Sequence, residues 1–334
     1  MKRITSALII IASCLSCTDL FLGDDPKNNS VAIFDEFWKG VDNTWPSFEG
    51  KHVNWDSLYL VYRPQINSTS SNEDLIKVLT GLLYNLKDTH TTIYPKNLPA
   101  ILFYPDHPMN FYGITWIVNA YSIYYKGNKT ITYGLLNPNV GYIYIPSFQH
   151  ESSDYILIDN ILLYFKEAKG IIIDVRSNSG GNSINGATIA SRFANKANVY
   201  EYTKHRIDAN GTALSDFASA TISPDGPFQF SKKVAVLTNG YSYSATEDFV
   251  LMMRSFPQVI QLGDATGGGS ETAPIFKELP LGWYCRVGSL LLCDVNKQPI
   301  SKGIRPDIYV QTAKADSLKG KDSIIERAVE ELMK

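Results

Sequence analysis

Three features of the 334-residue sequence predict an α/β protein with a helical front. Apolar residues between Val31 and Leu86 recur at helical spacing. Two runs, Ile171–Val175 and Val234–Leu237, have the near-continuous apolar character of buried parallel strands, and each leads into a tight polar turn and a helix-prone segment. Hydrophobic residues make up 44% of the chain and charged residues 19%, enough to bury a core and too apolar for a disordered or low-complexity protein. The net charge is −2 with no long run of either sign, which excludes the basic footprint of a nucleic-acid binder.

At the N-terminus, Met1-Lys2-Arg3 is a short basic start, and Ile4 to Leu15 is almost wholly apolar or small. That run falls short of the roughly 20 residues a spanning helix needs but suits an export signal. Ile11-Ala12-Ser13-Cys14 resembles a bacterial lipobox, in which the Cys becomes the lipidated first residue, and Ser16-Cys17 is a second candidate. Residues 1–17 are thus read as a lipoprotein signal, with a buried N-terminal strand as the competing reading. The expected location is the bacterial cell envelope, with the membrane held through a lipid on Cys14 or Cys17 and the face left open. Export places the rest of the chain in an oxidising space, which permits a disulfide between Cys285 and Cys293 across an apparent hairpin. No metal site is expected, because the four Cys and five His show no ligand spacing and H-E-x-x-H is absent.

Residues 18–30 are polar and form a tether. Residues 31–92 form a helical subdomain, with Phe34, Phe37, Trp38 and Val41 on one stripe and Leu75, Val78, Leu79, Leu82, Leu83 and Leu86 on another. The Ser/Thr/Asn cluster from Asn67 to Asn72 separates them and can cap the second helix. Residues 93–334 form the α/β domain. Ile93 to Asn139 is β-like and Val140 to Ile145 a strand. Ser153 to Ala168 is an amphipathic helix closed by Gly170. After the two strand-turn-helix units come a short strand at Val259–Gly263, a hairpin at Trp283–Val295 and a helix at Lys321–Met333.

Three loops carry candidate chemistry. In Asp174-Val175-Arg176-Ser177-Asn178-Ser179-Gly180-Gly181-Asn182, adjacent glycines after a buried strand turn the backbone sharply and free N–H groups for an anion or oxyanion. No nucleotide-binding glycine motif is present, and a plain strand-to-helix turn also fits. In Asn239-Gly240-Tyr241-Ser242-Tyr243-Ser244-Ala245-Thr246-Glu247, a Ser at a helix N-terminus lies where developing negative charge is favoured, although Ser244-x-x-Glu247 also reads as a capping box. In Leu86-Lys87-Asp88-Thr89-His90-Thr91, a His follows a helix end between two hydroxyls. On its own it reads as a surface residue.

Taken in order, these loops resemble the carboxyl-terminal processing, or tail-specific, serine peptidases, a group that includes the tricorn core protease. The matching segments are Leu86–Thr91 (L-x-D-x-H-T), Ile172–Gly181 (I-I-D-x-R-x-N-x-G-G) and Ser244–Glu247 (S-A-x-E). Gly263-Asp264-Ala265-Thr266-Gly267-Gly268 and Gly303-Ile304-Arg305-Pro306-Asp307 complete the set. The resemblance implies a crotonase-like catalytic domain with Ser244 as nucleophile and His90 as general base, as in the tricorn branch. It also implies an oxyanion hole from the backbone N–H of Ala245 with that of Gly180 or Gly181, and acyl transfer without a cofactor. Three departures qualify it. The Ser/Lys branch carries a Lys where this chain has Gly269, and Lys277 reads as a solvated strand residue. The stretch where the tricorn branch has a Glu reads Pro299-Ile300-Ser301-Lys302, so Glu271, Glu247 and Thr89 are the candidates, in that order, to orient His90. Too few residues separate Thr91 from Val140 for a PDZ module.

Two functions remain in view: a lipid-anchored serine endopeptidase acting on peptides or proteins, and a non-hydrolytic envelope protein binding peptide, glycan or apolar ligand on the same fold. A third, esterase chemistry through Ser242, lacks the glycine that a nucleophile elbow requires. No pattern bears on oligomeric state.

Overall fold

The computed structural model describes residues 28–208, 213–269 and 271–334, and the signal region with Cys14 and Cys17 lies outside the described residues. Helices α1 (Ser30–Thr44), α2 (Trp55–Tyr62) and α3 (Asn72–Leu86) arise from the amphipathic front. Ser71 and Asp74 cap the start of α3 reciprocally, and Lys87 ends it in the left-handed conformation at φ 49°, ψ 44°. The stripes on α1 and α3 do not close on each other alone. They share a core with Ile93, Ile101, Trp283, Cys285 and Val287. These come from a four-stranded sheet in the order β12 (Ile275–Leu279), β13 (Trp283–Val287), β1 (Thr92–Tyr94) and β2 (Ile101–Leu102).

The central sheet has seven strands. Their order is β15 (Ile308–Tyr309), β10 (Val259–Gly263), β9 (Lys233–Thr238), β6 (Gly170–Asp174), β5 (Val140–Tyr144), β4 (Thr132–Asn137) and β3 (Lys126–Gly127). From β15 to β5 the strands are parallel, and β4 and β3 join antiparallel. Both faces are covered, which is why Ile171–Ile173 of β6 and Val234–Leu237 of β9 are continuously apolar. Ile171, Ile173, Val234 and Val236 point to one core, with α5 (Ile158–Tyr164), α6 (Ser183–Ala190) and α7 (Ala245–Arg254). Ile172, Ala235 and Leu237 point to the other, with α4 (Ile114–Ala120) and α8 (Ser323–Met333). A further sheet runs β11 (Glu271–Thr272), β14 (Leu290–Cys293), β7 (Asn198–His205), β8 (Ala218–Ile222).

Several local expectations change. Trp283–Val295 is not a hairpin: β13 pairs with β1 and β12, while β14 pairs with β7 and β11. The chain passes from one sheet to another at Gly288, so Cys285 and Cys293 are buried free thiols in different sheets and the expected disulfide is absent. Helix α4 replaces β structure within 93–139, and Ile117 on it is fully buried. The helix expected over 153–168 is divided into a turn at Ser152–Tyr155 and α5. Gly170 does not stop that helix but opens β6, where a Cβ would press on Leu332 and the Lys233 carbonyl at 3.0 Å.

Candidate active site

Strands β6 and β9 lie side by side, and the loops after them are stitched together. Tyr243 N donates to the Asn178 carbonyl at 2.9 Å, Thr246 Oγ1 to Asn178 Oδ1 at 2.7 Å and Ser177 N to Asn239 Oδ1 at 2.9 Å. The site therefore sits at the carboxyl ends of parallel strands. Beneath it, buried Arg176 bonds Asp174 Oδ2 at 2.6 Å and Asp322 Oδ2 at 2.8 Å. Asp322 in turn caps α8, its Oδ1 accepting from Ile324 N and Ile325 N.

Ser244 stands immediately before α7 with φ 59° and ψ −127°, a region non-glycine residues seldom occupy, at a cost of about 1–3 kcal/mol. Its N–H donates to Glu247 Oε2 at 3.0 Å, and its Oγ meets His90 Nε2 at 3.0 Å across 154 positions of sequence. The other sequence candidate, Ser242, is fully buried and donates to the Val175 carbonyl at 2.8 Å, an anchor between the two loops.

His90 is delivered by the end of α3. Asp88 organises this turn, its carboxylate accepting from His90 N at 2.8 Å, from Trp45 Nε1 at 3.0 Å and from Thr91 Oγ1. His90 is only 7% exposed. Its pKa is pushed down to about 4, first by burial and then by the Arg286 charge, with Glu271 opposing and Lys51 adding to the fall. His90 is thus neutral at pH 7, the form that can accept a proton.

The two glycines differ. Gly180 N–H is committed to Asn178 Oδ1 at 2.9 Å. Among the described residues, Gly181 N–H and Ala245 N–H have no hydrogen-bond partner. Both glycines are required sterically, at φ 94° and 143°: a Cβ on Gly180 would lie 2.8 Å from Ser244 Cβ, and one on Gly181 2.3 Å from the Phe148 carbonyl carbon.

At His90 Nδ1 the hydrogen-bond partner is the Tyr243 hydroxyl at 3.1 Å. Glu271 is buried and takes Lys51 Nζ at 2.8 Å, acting on His90 through its field. Glu247 is occupied by Thr266 Oγ1, Gly268 N, Gly269 N and Ser244 N, at 2.7–3.0 Å. Burial still pushes its pKa up to about 7 against these four bonds. Thr89 Oγ1 is buried and has no hydrogen-bond partner among the described residues. Tyr243, Asp88 and Arg286 are the residues sequence reasoning passed over. Asp88 alone had a signal, its place in L-x-D-x-H-T.

A cavity of about 700 Å³ opens over this arrangement, with His90, Ser244, Ser179 and Gly181 on one side and Leu102, Phe103, Tyr104 and Met109 on another. Arg286 also lines it. An imidazole in contact with a hydroxyl, two available N–H groups and an apolar wall form an arrangement suited to acyl transfer.

Residues 139–310 match Peptidase family S41, and residues 26–83 match the Tricorn protease C1 domain. A "putative peptidase" of Parabacteroides merdae is similar in structure, with a TM-score of 0.84 and 34% identity over 92% of this chain and 97% of that one. A lipoprotein from Streptococcus agalactiae shares the fold at 17% identity, with a TM-score of 0.58 over 89% of this chain and 97% of that one. The "Probable CtpA-like serine protease" of Staphylococcus epidermidis is 27% identical over 54% of this chain, and the match spans 35% of that relative's length. Family matches over both the front and the α/β region, and a relative aligned along nearly its whole length, establish that the chain belongs to peptidase family S41.

Proposed function

We propose that the chain is an exported, lipid-anchored serine endopeptidase of crotonase-like architecture, with Ser244 as nucleophile and His90 as general base. The observation that carries this reading is the 3.0 Å contact between Ser244 Oγ and neutral, buried His90 Nε2. In the reaction, His90 Nε2 takes the Ser244 proton as Oγ attacks the peptide carbonyl. The tetrahedral oxyanion accepts from Gly181 N–H and Ala245 N–H. His90 then gives its proton to the leaving amine, and water, activated by the same imidazole, releases the acyl group from Ser244. The α7 N-terminus adds its positive dipole end at Ser244. Anchoring rests on the sequence of residues 1–17 alone, through Cys14 or Cys17.

The test is cleavage of a peptide pool by the purified chain and by Ser244→Ala. Activity is expected only in the former, and equal cleavage by both would remove Ser244 from the mechanism. One observation favours a second reading, a non-hydrolytic binding protein: the group bonded to His90 Nδ1 is a neutral phenol rather than a carboxylate. A fluorophosphonate probe separates the two, since a binding protein would leave Ser244 unlabelled.

A further inference from the structure

We propose that Tyr243 is the positioning residue for His90, its hydroxyl accepting the Nδ1 proton where a carboxylate orients the imidazole in a Ser-His-acid triad. This rests on the hydrolytic reading above and deepens it. The Tyr243 hydroxyl lies 3.1 Å from His90 Nδ1, and the two rings stack with centroids 5.0 Å apart at 25°. One residue thus fixes both the plane of the imidazole and the bond at its far nitrogen.

The tyrosine is held at its backbone and at its ring. Its N–H is bonded to the Asn178 carbonyl at 2.9 Å, which locks it to the Gly180–Gly181 loop. Its ring lies against the Thr266–Gly269 loop, where a Cβ on Gly267 would come within 2.5 Å of it and one on Gly269 within 2.7 Å. Glycine at both positions is what leaves room for the ring. The same loop is fastened to Glu247, which also holds Ser244 N, so ring and nucleophile share one support.

The chemistry sets the direction of the bond. For Nε2 to accept from Ser244, the proton of neutral His90 must reside on Nδ1, so the Tyr243 oxygen must be the acceptor there. Burial, and the nearby charges of Asp88, Glu247 and Glu271, hold the phenol well above its ordinary pKa, so it keeps its own proton throughout. During attack the Ser244 proton moves to Nε2, Nδ1 keeps its proton, and the Nδ1–H···O bond strengthens as the ring becomes cationic. No proton reaches tyrosine.

The experiment pairs kinetics with nitrogen NMR on the full chain. In the unsubstituted protein, ¹⁵N shifts of His90 should show the Nδ1–H tautomer; an Nε2–H tautomer overturns the inference without any variant. Tyr243→Phe keeps the stacked ring and removes the acceptor. It should lower kcat roughly 10- to 100-fold with KM little changed, and should shift His90 toward Nε2–H. A merely structural role would leave the tautomer untouched. Should Ser244→Ala be inactive while Tyr243→Phe keeps wild-type kcat and tautomer, only this inference fails; should Ser244→Ala cleave normally, the hydrolytic reading fails instead.

Discussion

The Glu247 carboxylate holds Ser244 from behind: Oε2 accepts the Ser244 N–H at 3.0 Å and also takes the Gly269 N–H at 2.9 Å. Its other oxygen bonds Thr266 Oγ1 and Gly268 N. One buried side chain therefore sets the backbone of the candidate nucleophile and of the loop that supports Tyr243.

Glu247→Gln replaces two acceptor oxygens with one acceptor and one donor facing converging N–H groups. A loss of about 1–3 kcal/mol is expected in urea unfolding, together with reduced kcat. The loss should depend on pH. Glu247 is raised to about 7 in the fold from its ordinary 4.5, so the folded state binds the extra proton and wild-type stability declines as pH rises between those values. Gln lacks that slope. The gap between wild type and variant should therefore be wider at pH 5 than at pH 8, and an equal gap would contradict the assignment.

A second prediction concerns acid tolerance. With His90 near 4, kcat/KM should persist as pH falls through 6 and drop only at about 4. Arg286→Gln removes a positive charge that opposes imidazolium formation, so the His90 pKa rises toward 6.5 and the acid limb moves to higher pH. A pH profile of both proteins checks this, and a limb that stays fixed would exonerate Arg286. Stability has the matching sign. The unfolded His binds a proton that the folded one refuses, so the fold weakens as pH drops from about 6.5 toward about 4.

Strain at Ser244 gives a third. The pair φ 59°, ψ −127° is the mirror image of extended backbone, which glycine adopts without penalty. Ser244→Gly and Ser244→Ala should both be inactive, yet the Gly variant should be more stable by about 1 kcal/mol. Thermal unfolding of the pair provides the measurement, and equal melting temperatures would show that the turn carries no strain.

Much of this site can be read from the chain. The run Ile171–Val175 announces a strand covered on both faces, and the adjacent glycines announce a backbone no side chain could follow. His90 and Ser244 stand out through their motifs, but spacing cannot tell that Asp88 and Trp45 tie the end of α3 so that the imidazole reaches the central sheet. Tyr243 was hidden for a plainer reason: it is one of 20 tyrosines, and a phenol between two serines reads as core until its hydroxyl is seen on Nδ1. The Cys285–Cys293 hairpin failed because two short apolar runs with a Gly-Ser between them fit a crossing between sheets as well as a tight turn. Gly288 packs against the Glu271 backbone, a Cβ there falling 2.4 Å from its carbonyl oxygen, and the strands part. At 114–120 tertiary packing of Ile117 overrides the strand preference of an Ile-Thr-Trp-Ile-Val run.

Arg176 lies two residues ahead of Asn178, and one of its two carboxylate partners, Asp322, lies 146 positions later in the sequence. Without Asp322, the buried guanidinium keeps the Asp174 carboxylate that neutralises it but loses the 2.8 Å bond at Nη1. Removing the segment that carries Asp322 would therefore strip a buried hydrogen bond from the support beneath the Asn178–Gly181 turn and should loosen it.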